Sequence, residues 1–128
     1  MALARSGILI GHNSTQENLG IQVATAFRQN GVRVFDSFTN QTEAAYLIGR
    51  HVFDRKHTIR AVVLLDPNII KPEQDRGMLL HLIRREHRIP IVTWPVFPNA
   101  PEWIDRQYPT LEEAITLLIN QPQHRERR

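Results

Sequence analysis

The sequence predicts an α/β fold in which five parallel strands lie between helices. Three observations carry this. Apolar, β-favouring runs alternate with stretches whose apolar residues recur every three or four positions, the pattern of successive strand–helix units. The run Ile59–Leu65, "IRAVVLL", has no polar alternation after Arg60, which suits a strand covered on both faces. Helix-starting and helix-stopping residues separate the runs.

The elements follow in order. Ile8–Ile10 is the first strand, and it opens onto the loop Gly11-His12-Asn13-Ser14-Thr15. Ser14-Thr15-Gln16-Glu17 reads as a capping box, Ser followed three residues later by Glu. Leu19, Val23, Ala26 and Phe27 then recur at helical spacing, and Asn30-Gly31 closes that helix. Val32–Phe35 is the second strand and Asp36–Gln41 a polar loop. Thr42 is a cap for the next helix, whose inward stripe is Ala45, Ile48, Val52 and Phe53. Ile59–Leu65 is the third strand, and Asp66-Pro67-Asn68 turns the chain.

The spacing predicts a third helix near Glu73–Glu86, with Met78, Leu79, Leu82 and Ile83 inward. Ile89–Thr93 is the fourth strand, with Pro90 at its start, where a missing N–H matters least. Trp94–Pro101 is a stiff loop with prolines at 95, 98 and 101, and Trp103–Ile104 is a short fifth strand. Thr110-Leu111-Glu112-Glu113 is a second capping box, and Leu111, Ala114, Ile115, Leu118 and Ile119 give the last helix, which Pro122 stops. Right-handed crossovers leave few topologies. The expectation is a three-layer, flavodoxin-like or Rossmann-like sandwich with strand order 2-1-3-4-5.

The length of 128 residues suits one domain, expected over 1–121, with 122–128 a disordered basic tail. The chain has no cysteine, which removes disulfides, thiolate metal sites and cysteine nucleophiles. None of the histidines at 12, 51, 57, 81, 87 and 124 forms the i, i+4 pair of a metalloprotease, so no metal site is expected. A formal net charge of +3 permits an acidic partner without demanding one. The cluster Arg84, Arg85, His87 and Arg88 reads as a solvated helix end, and no base-reading element accompanies it, so nucleic acid is not an expected partner. No secretory leader or membrane span is apparent, and a soluble, cytoplasmic protein is the expectation.

In a sheet of this order, ligands lodge beyond the carboxyl ends of the strands, where the order reverses. That forecast places Gly11, His12, Asn13 and Ser14 opposite Asp66 and Asn68, with Asp36, Ser37 and Thr93 on neighbouring loops. Gly11 would let a ligand come close to the backbone. The N–H groups near Ser14 and Thr15 open a helix and would attract the phosphate of a nucleotide or dinucleotide. Each residue also has an ordinary role: Ser14 as a helix cap, Asp66 as an Asx turn, and Glu43 as a carboxylate at a helix start. No Walker loop and no GxGxxG is present.

The chain resembles the bacterial type of Toll/interleukin-1 receptor (TIR) domains over roughly Ile8 to Ile119. "ILIGHNSTQENLGIQVATAFRQNGVRVFDS" is similar to that family's first strand, loop, helix and "G-x-x-V-F-x-D" second strand. "AVVLLDPNII" resembles its third strand and serine-proline-asparagine turn, with Asp66 in place of serine. "RIPIVTWPVFPNAPEWIDRQY" resembles its "I-P-V" strand, proline loop and tryptophan segment. The resemblance implies a domain that assembles with itself or with a protein partner. Some members cleave NAD with a helix-borne glutamate. Here Gly49 is followed by Arg50, His51, Val52 and Phe53, with Asp54 beyond, and Glu43 is the glutamate left for that role. No cofactor is required on this reading, and NAD or a related nucleotide is the expected ligand or substrate.

Two further resemblances share the architecture. "ILIGHN" lies where two-component receivers have "ILIVDD", which would make Asp66 the phospho-acceptor and Thr93 the switch hydroxyl. His12-Asn13 replaces the acid pair that holds Mg²⁺, and the only lysines are Lys56 and Lys71, so the implied relative is a pseudo-receiver that signals by binding. "VVLLD…DRGMLLH" is similar to the nucleoside 2-deoxyribosyltransferases, whose nucleophilic glutamate falls on His81, so that likeness implies a degenerate member.

Overall fold

The computed structural model describes residues 5–53, 57–71 and 73–120. The expected tail 122–128 and Asp54 lie outside the described residues. The elements are β1 (Arg5–Gly11), α1 (Glu17–Gln29), β2 (Arg33–Phe38), α2 (Gln41–Phe53), β3 (His57–Leu64), a 3-10 turn (Pro67–Ile69), α3 (Asp75–Glu86), β4 (Ile91–Thr93), β5 (Arg106–Gln107) and α4 (Leu111–Asn120). All four strand pairings are parallel, and the order is β2-β1-β3-β4-β5. This is the flavodoxin-like α/β sandwich with strand order 2-1-3-4-5.

Side chains alternate across a strand, so each sheet face receives its own core. Ile8, Ile10, Val63 and Leu65 pack with Val23 and Phe27 of α1 and with Ala114, Ile115 and Leu118 of α4. Leu9, Val62 and Leu64 pack on the opposite face with Ala44, Leu47 and Ile48 of α2 and Leu80 of α3. The central strands β1 and β3 thus bury both faces, which is why their sequences read as unbroken apolar runs. Gly31 ends α1 with φ +84°, a left-handed conformation that favours glycine.

Several boundaries differ from the sequence reading, each for a physical reason. β2 continues through Asp36 and Ser37 to Phe38, which pairs with Gly11. The register skips Phe35, a bulge that interrupts alternation, and at a sheet edge Asp36 and Ser37 can face solvent. Ser14 does not cap α1. The loop closes on itself instead, with Asn13 Oδ1 accepting from the Thr15 backbone N–H at 2.9 Å and Gln16 Oε1 accepting from the Asn13 N–H at 3.0 Å. Asn40, not Thr42, caps α2, accepting from the Glu43 N–H at 2.9 Å.

The largest correction concerns α3. Its inner side is Gly77 and Leu80, with Ile83 beside them, whereas Met78, Leu79 and Leu82 face outward. Glycine at 77 lets the helix seat against Lys71 and Gln41, and that close approach fixes its rotation. Phe53, expected in the α2 stripe, is also exposed, as is Ile119 of α4. The fifth strand is Arg106–Gln107 rather than Trp103–Ile104. Asp105 sets its start by exchanging contacts with Ile91, its N–H donating to the Ile91 carbonyl at 2.8 Å and its Oδ2 accepting from the Ile91 N–H at 2.7 Å. Trp103 and Ile104 pack against the α2–α3 core, and Trp94 against the other core. Thr110 does cap α4, its hydroxyl accepting from the Glu113 N–H at 3.1 Å.

Arg84 is not part of a solvated cluster. Its guanidinium donates to Asp105 Oδ2 at 2.9 Å and to the Trp103 carbonyl at 2.7 Å, which ties α3 to the segment leading into β5. No helix among the described residues is long and apolar enough to cross a membrane.

Candidate functional site

The forecast crevice between the carboxyl ends of β1 and β3 is bridged by the protein itself. Asn13 Nδ2 donates to Asp66 Oδ2 at 2.9 Å, Gln16 Nε2 donates to the Leu65 carbonyl at 3.2 Å, and the Leu65 N–H donates to the Gly11 carbonyl at 2.7 Å. Asp66 Oδ1 accepts from the Asn68 N–H at 2.9 Å and so caps the 3-10 turn. Both Asp66 oxygens are therefore engaged within the fold. The α1 end offers no open anion cradle either: Asn13 and Gln16 side chains occupy its loop, and Glu17 adds a negative charge to its first turn.

The open space lies one strand further out. A groove of about 520 Å³ runs between α1 and the edge strand β2. Among its lining residues are His12, Ser14, Asp36, Ser37 and Glu43, so the structure brings five of the predicted site residues together. Asn13, Asp66 and Asn68 form the bridge beside it. Gly11 and Thr93 belong to the core: a Cβ at Gly11 would lie 2.6 Å from Phe38 and 2.7 Å from Leu64, and the Thr93 hydroxyl, fully buried, donates to Gln107 Oε1 at 3.3 Å.

Each groove residue has a local cause. His12 follows β1 directly, and its backbone N–H still pairs with the Phe38 carbonyl at 3.0 Å, which draws the imidazole inward under α1. His12 is 6% exposed, and its Nδ1 donates to the Asn13 carbonyl at 2.8 Å. Gly20 of α1 lies over the ring, where a Cβ would sit 2.7 Å from its Cδ2 and 3.1 Å from its Nε2. Asp36 Oδ1 accepts from the Ser37 N–H at 2.9 Å. Glu43 Oε1 accepts from the backbone N–H of Thr39 at 2.8 Å and its hydroxyl at 3.2 Å, so Glu43 ties the start of α2 back to the residue before its cap Asn40. Arg28 donates to the Val34 carbonyl at 3.2 Å, covering an edge-strand acceptor.

The α1 side of this groove, with Glu17, Gly20, Ile21, Ala24 and Arg28, was missed in the sequence reading. A signal for it existed in Gly20. A glycine within a helix costs roughly 1 kcal/mol against alanine, and at Gly20, unlike Gly49, a close approach accounts for it. His81, the position matched to a transferase glutamate, stands on α3, away from this groove. Its ring meets Trp103 edge-on at 4.9 Å. Burial holds its pKa below the ordinary value, helped by the charges of Arg84 and Arg85 and opposed by Asp105. Among the described residues no group of three histidines or carboxylates is placed to hold a metal ion.

Neither family models, nor curated proteins, nor solved structures match this chain.

Proposed function

We propose that this chain is a TIR-like signalling module that works by assembly with further copies of itself. One observation carries the reading. α2 and α3 lie side by side, with Gln41 accepting from the Lys71 N–H at 2.7 Å and donating to Gln74 at 2.6 Å near their N-termini. Their outer sides expose five large apolar residues: Tyr46 (66%), Phe53 (86%), Met78 (50%), Leu79 (40%) and Leu82 (60%). Single exposed apolar residues need no explanation, whereas a group of this size on one face marks a contact surface.

Charge selects the occupant. Arg50 and Arg85 are exposed in the same outer stripes. On the opposite side of the sheet α4 exposes Glu112, Glu113 and Leu117. The α4 of one copy offers carboxylates to Arg50 and Arg85 of the next, and Leu117 to its apolar group. Two different surfaces on opposite sides give a head-to-tail contact, which builds a ring or an open filament, so the assembly grows beyond a dimer.

The test is solution mass against concentration by light scattering. The wild type should grow in mass beyond a dimer as concentration rises. Leu82→Glu with Met78→Glu, and separately Glu112→Lys with Glu113→Lys, should stay monomeric with unchanged circular dichroism. A wild type that remains monomeric at millimolar concentration refutes the reading, and a strict dimer refutes the head-to-tail arrangement.

NAD cleavage at Glu43 is the alternative. It is supported by the position of that carboxylate on the groove and opposed by the engagement of Oε1 with Thr39. Nicotinamide release from NAD that disappears in Glu43→Gln would favour it over assembly alone.

A further inference from the structure

We infer that Gly49 is the seat at which α2 receives the Leu117 side chain of a second copy of this chain. The inference rests on the assembly reading above and names its central contact.

The first support is a glycine that the fold itself does not use. The chain has six glycines. Gly31 has a positive φ, and at Gly7, Gly11, Gly20 and Gly77 an added Cβ would come within 3.0 Å of another residue. Gly49 has neither reason. Its φ is not positive, and nothing lies within 4 Å of where its Cβ would stand. It sits inside α2, where glycine is destabilising relative to alanine. What it provides faces outward: room for a group from outside to approach the α2 backbone.

The second support is where that room lies. Tyr46, Gly49, Arg50 and Phe53 are spaced i, i+3, i+4 and i+7. Those are the four corners of the hole that one helix offers to a side chain of another. Tyr46 and Phe53 are the most exposed large apolar residues among the described ones, and Arg50 is exposed beside them. A hole with apolar ends and one missing side chain suits an apolar knob.

The third support selects the occupant. Of the four helices only α4 carries carboxylates and no Lys or Arg. Its outer side exposes Leu117 one turn after Glu113. With Leu117 in the hole, Glu113 lies one helical turn away, within the span of the Arg50 side chain. The α4 of the same copy cannot fill this hole, because it packs on the opposite sheet face from α2. The knob therefore comes from a second copy.

The experiment follows self-association of the full chain by sedimentation velocity over a concentration series. Urea unfolding is read alongside, at dilutions where every protein is monomeric. Gly49→Ala should raise the urea midpoint and yet weaken association about tenfold, because a methyl group overfills a hole shaped around glycine. Gly49→Gln, a helix former with a longer side chain, should abolish association with the fold intact. Leu117→Ala should also weaken association. In the double variant with Gly49→Ala the two losses should not add, since both act on one contact. Undiminished association of Gly49→Ala and Gly49→Gln overturns the inference and leaves assembly standing. Additive losses overturn Leu117 as the occupant. A wild type that stays monomeric at millimolar concentration overturns assembly and this contact together.

Discussion

The seating of α3 yields a sharp prediction, because one substitution should have opposite signs at two places. Replacing glycine by alanine inside an open helix stabilises a protein by about 1 kcal/mol. Gly49, in α2, has nothing within 4 Å of where a Cβ would stand. Gly49→Ala should therefore raise stability by about 1 kcal/mol. At Gly77 the same methyl group would overlap the Lys71 carbonyl oxygen, lie 2.5 Å from the Lys71 carbonyl carbon and come 2.8 Å from Gln41 Oε1. The obstacle is backbone, and Gln41 is itself held by the Lys71 N–H. Ordinary contact requires about 3.5 Å, so α3 must retreat by roughly 1.5 Å from the chain before it. Overpacking of this kind costs about 3 kcal/mol at its upper end, against which the helix gains about 1 kcal/mol. Gly77→Ala should thus be destabilising by about 2 kcal/mol, a large share of the ~5–15 kcal/mol typical of a domain. Urea denaturation of the two variants and the wild type measures both effects, with midpoint shifts compared at equal m-value. A Gly77→Ala protein as stable as wild type would refute the packing of α3 on Lys71.

Two further predictions concern the α3–β5 corner. Asp105→Ala should cost about 2–3 kcal/mol, because it strips an acceptor from the Ile91 N–H and from the Arg84 guanidinium at once. Asp105→Asn, which keeps an oxygen, should cost less than half as much in the same assay, and equal losses would mean the hydrogen bond to Ile91 carries no weight. His81 should make stability depend on pH. Its folded pKa lies below the ordinary value of 6.5, so in mildly acidic solution the unfolded chain binds its proton first. Stability is then fully present above about pH 6.5 and declines as pH falls through the folded pKa. His81→Phe keeps the edge contact with Trp103 and should flatten that decline, and an unchanged pH slope in the variant would remove His81 as its source.

Much of the fold was legible in the sequence because the central strands bury both faces. Ile8–Ile10 and Ala61–Leu65 could be nothing but interior, and their alternation with amphipathic helices leaves few topologies once crossovers are right-handed. The Asn30-Gly31 stop and the Thr110 cap were legible for the same reason: each depends on a few neighbouring residues. The edge was harder to read. A bulge at Phe35 and the polar pair Asp36-Ser37 hid the second half of β2, since an edge strand need not alternate.

What the sequence determined by itself was the order of elements, the layering and the central core, because apolar period and local capping are properties of short segments. What only the tertiary structure decided was the rotation of α3, the bridge that fills the crevice between β1 and β3, and the groove beside it. Leu79, Leu80, Leu82 and Ile83 offer two apolar sides to a helix of the same period. The contact of Gly77 with Lys71 and Gln41 chooses between them, and it joins residues from separate elements. Likewise, Asn13 meets Asp66 across 53 positions of chain, and His12 meets Gly20 only because β1 and α1 fold back on one another. Long-range contacts of this kind leave no periodic trace, so sequence could name the site's residues without saying which of them share a wall.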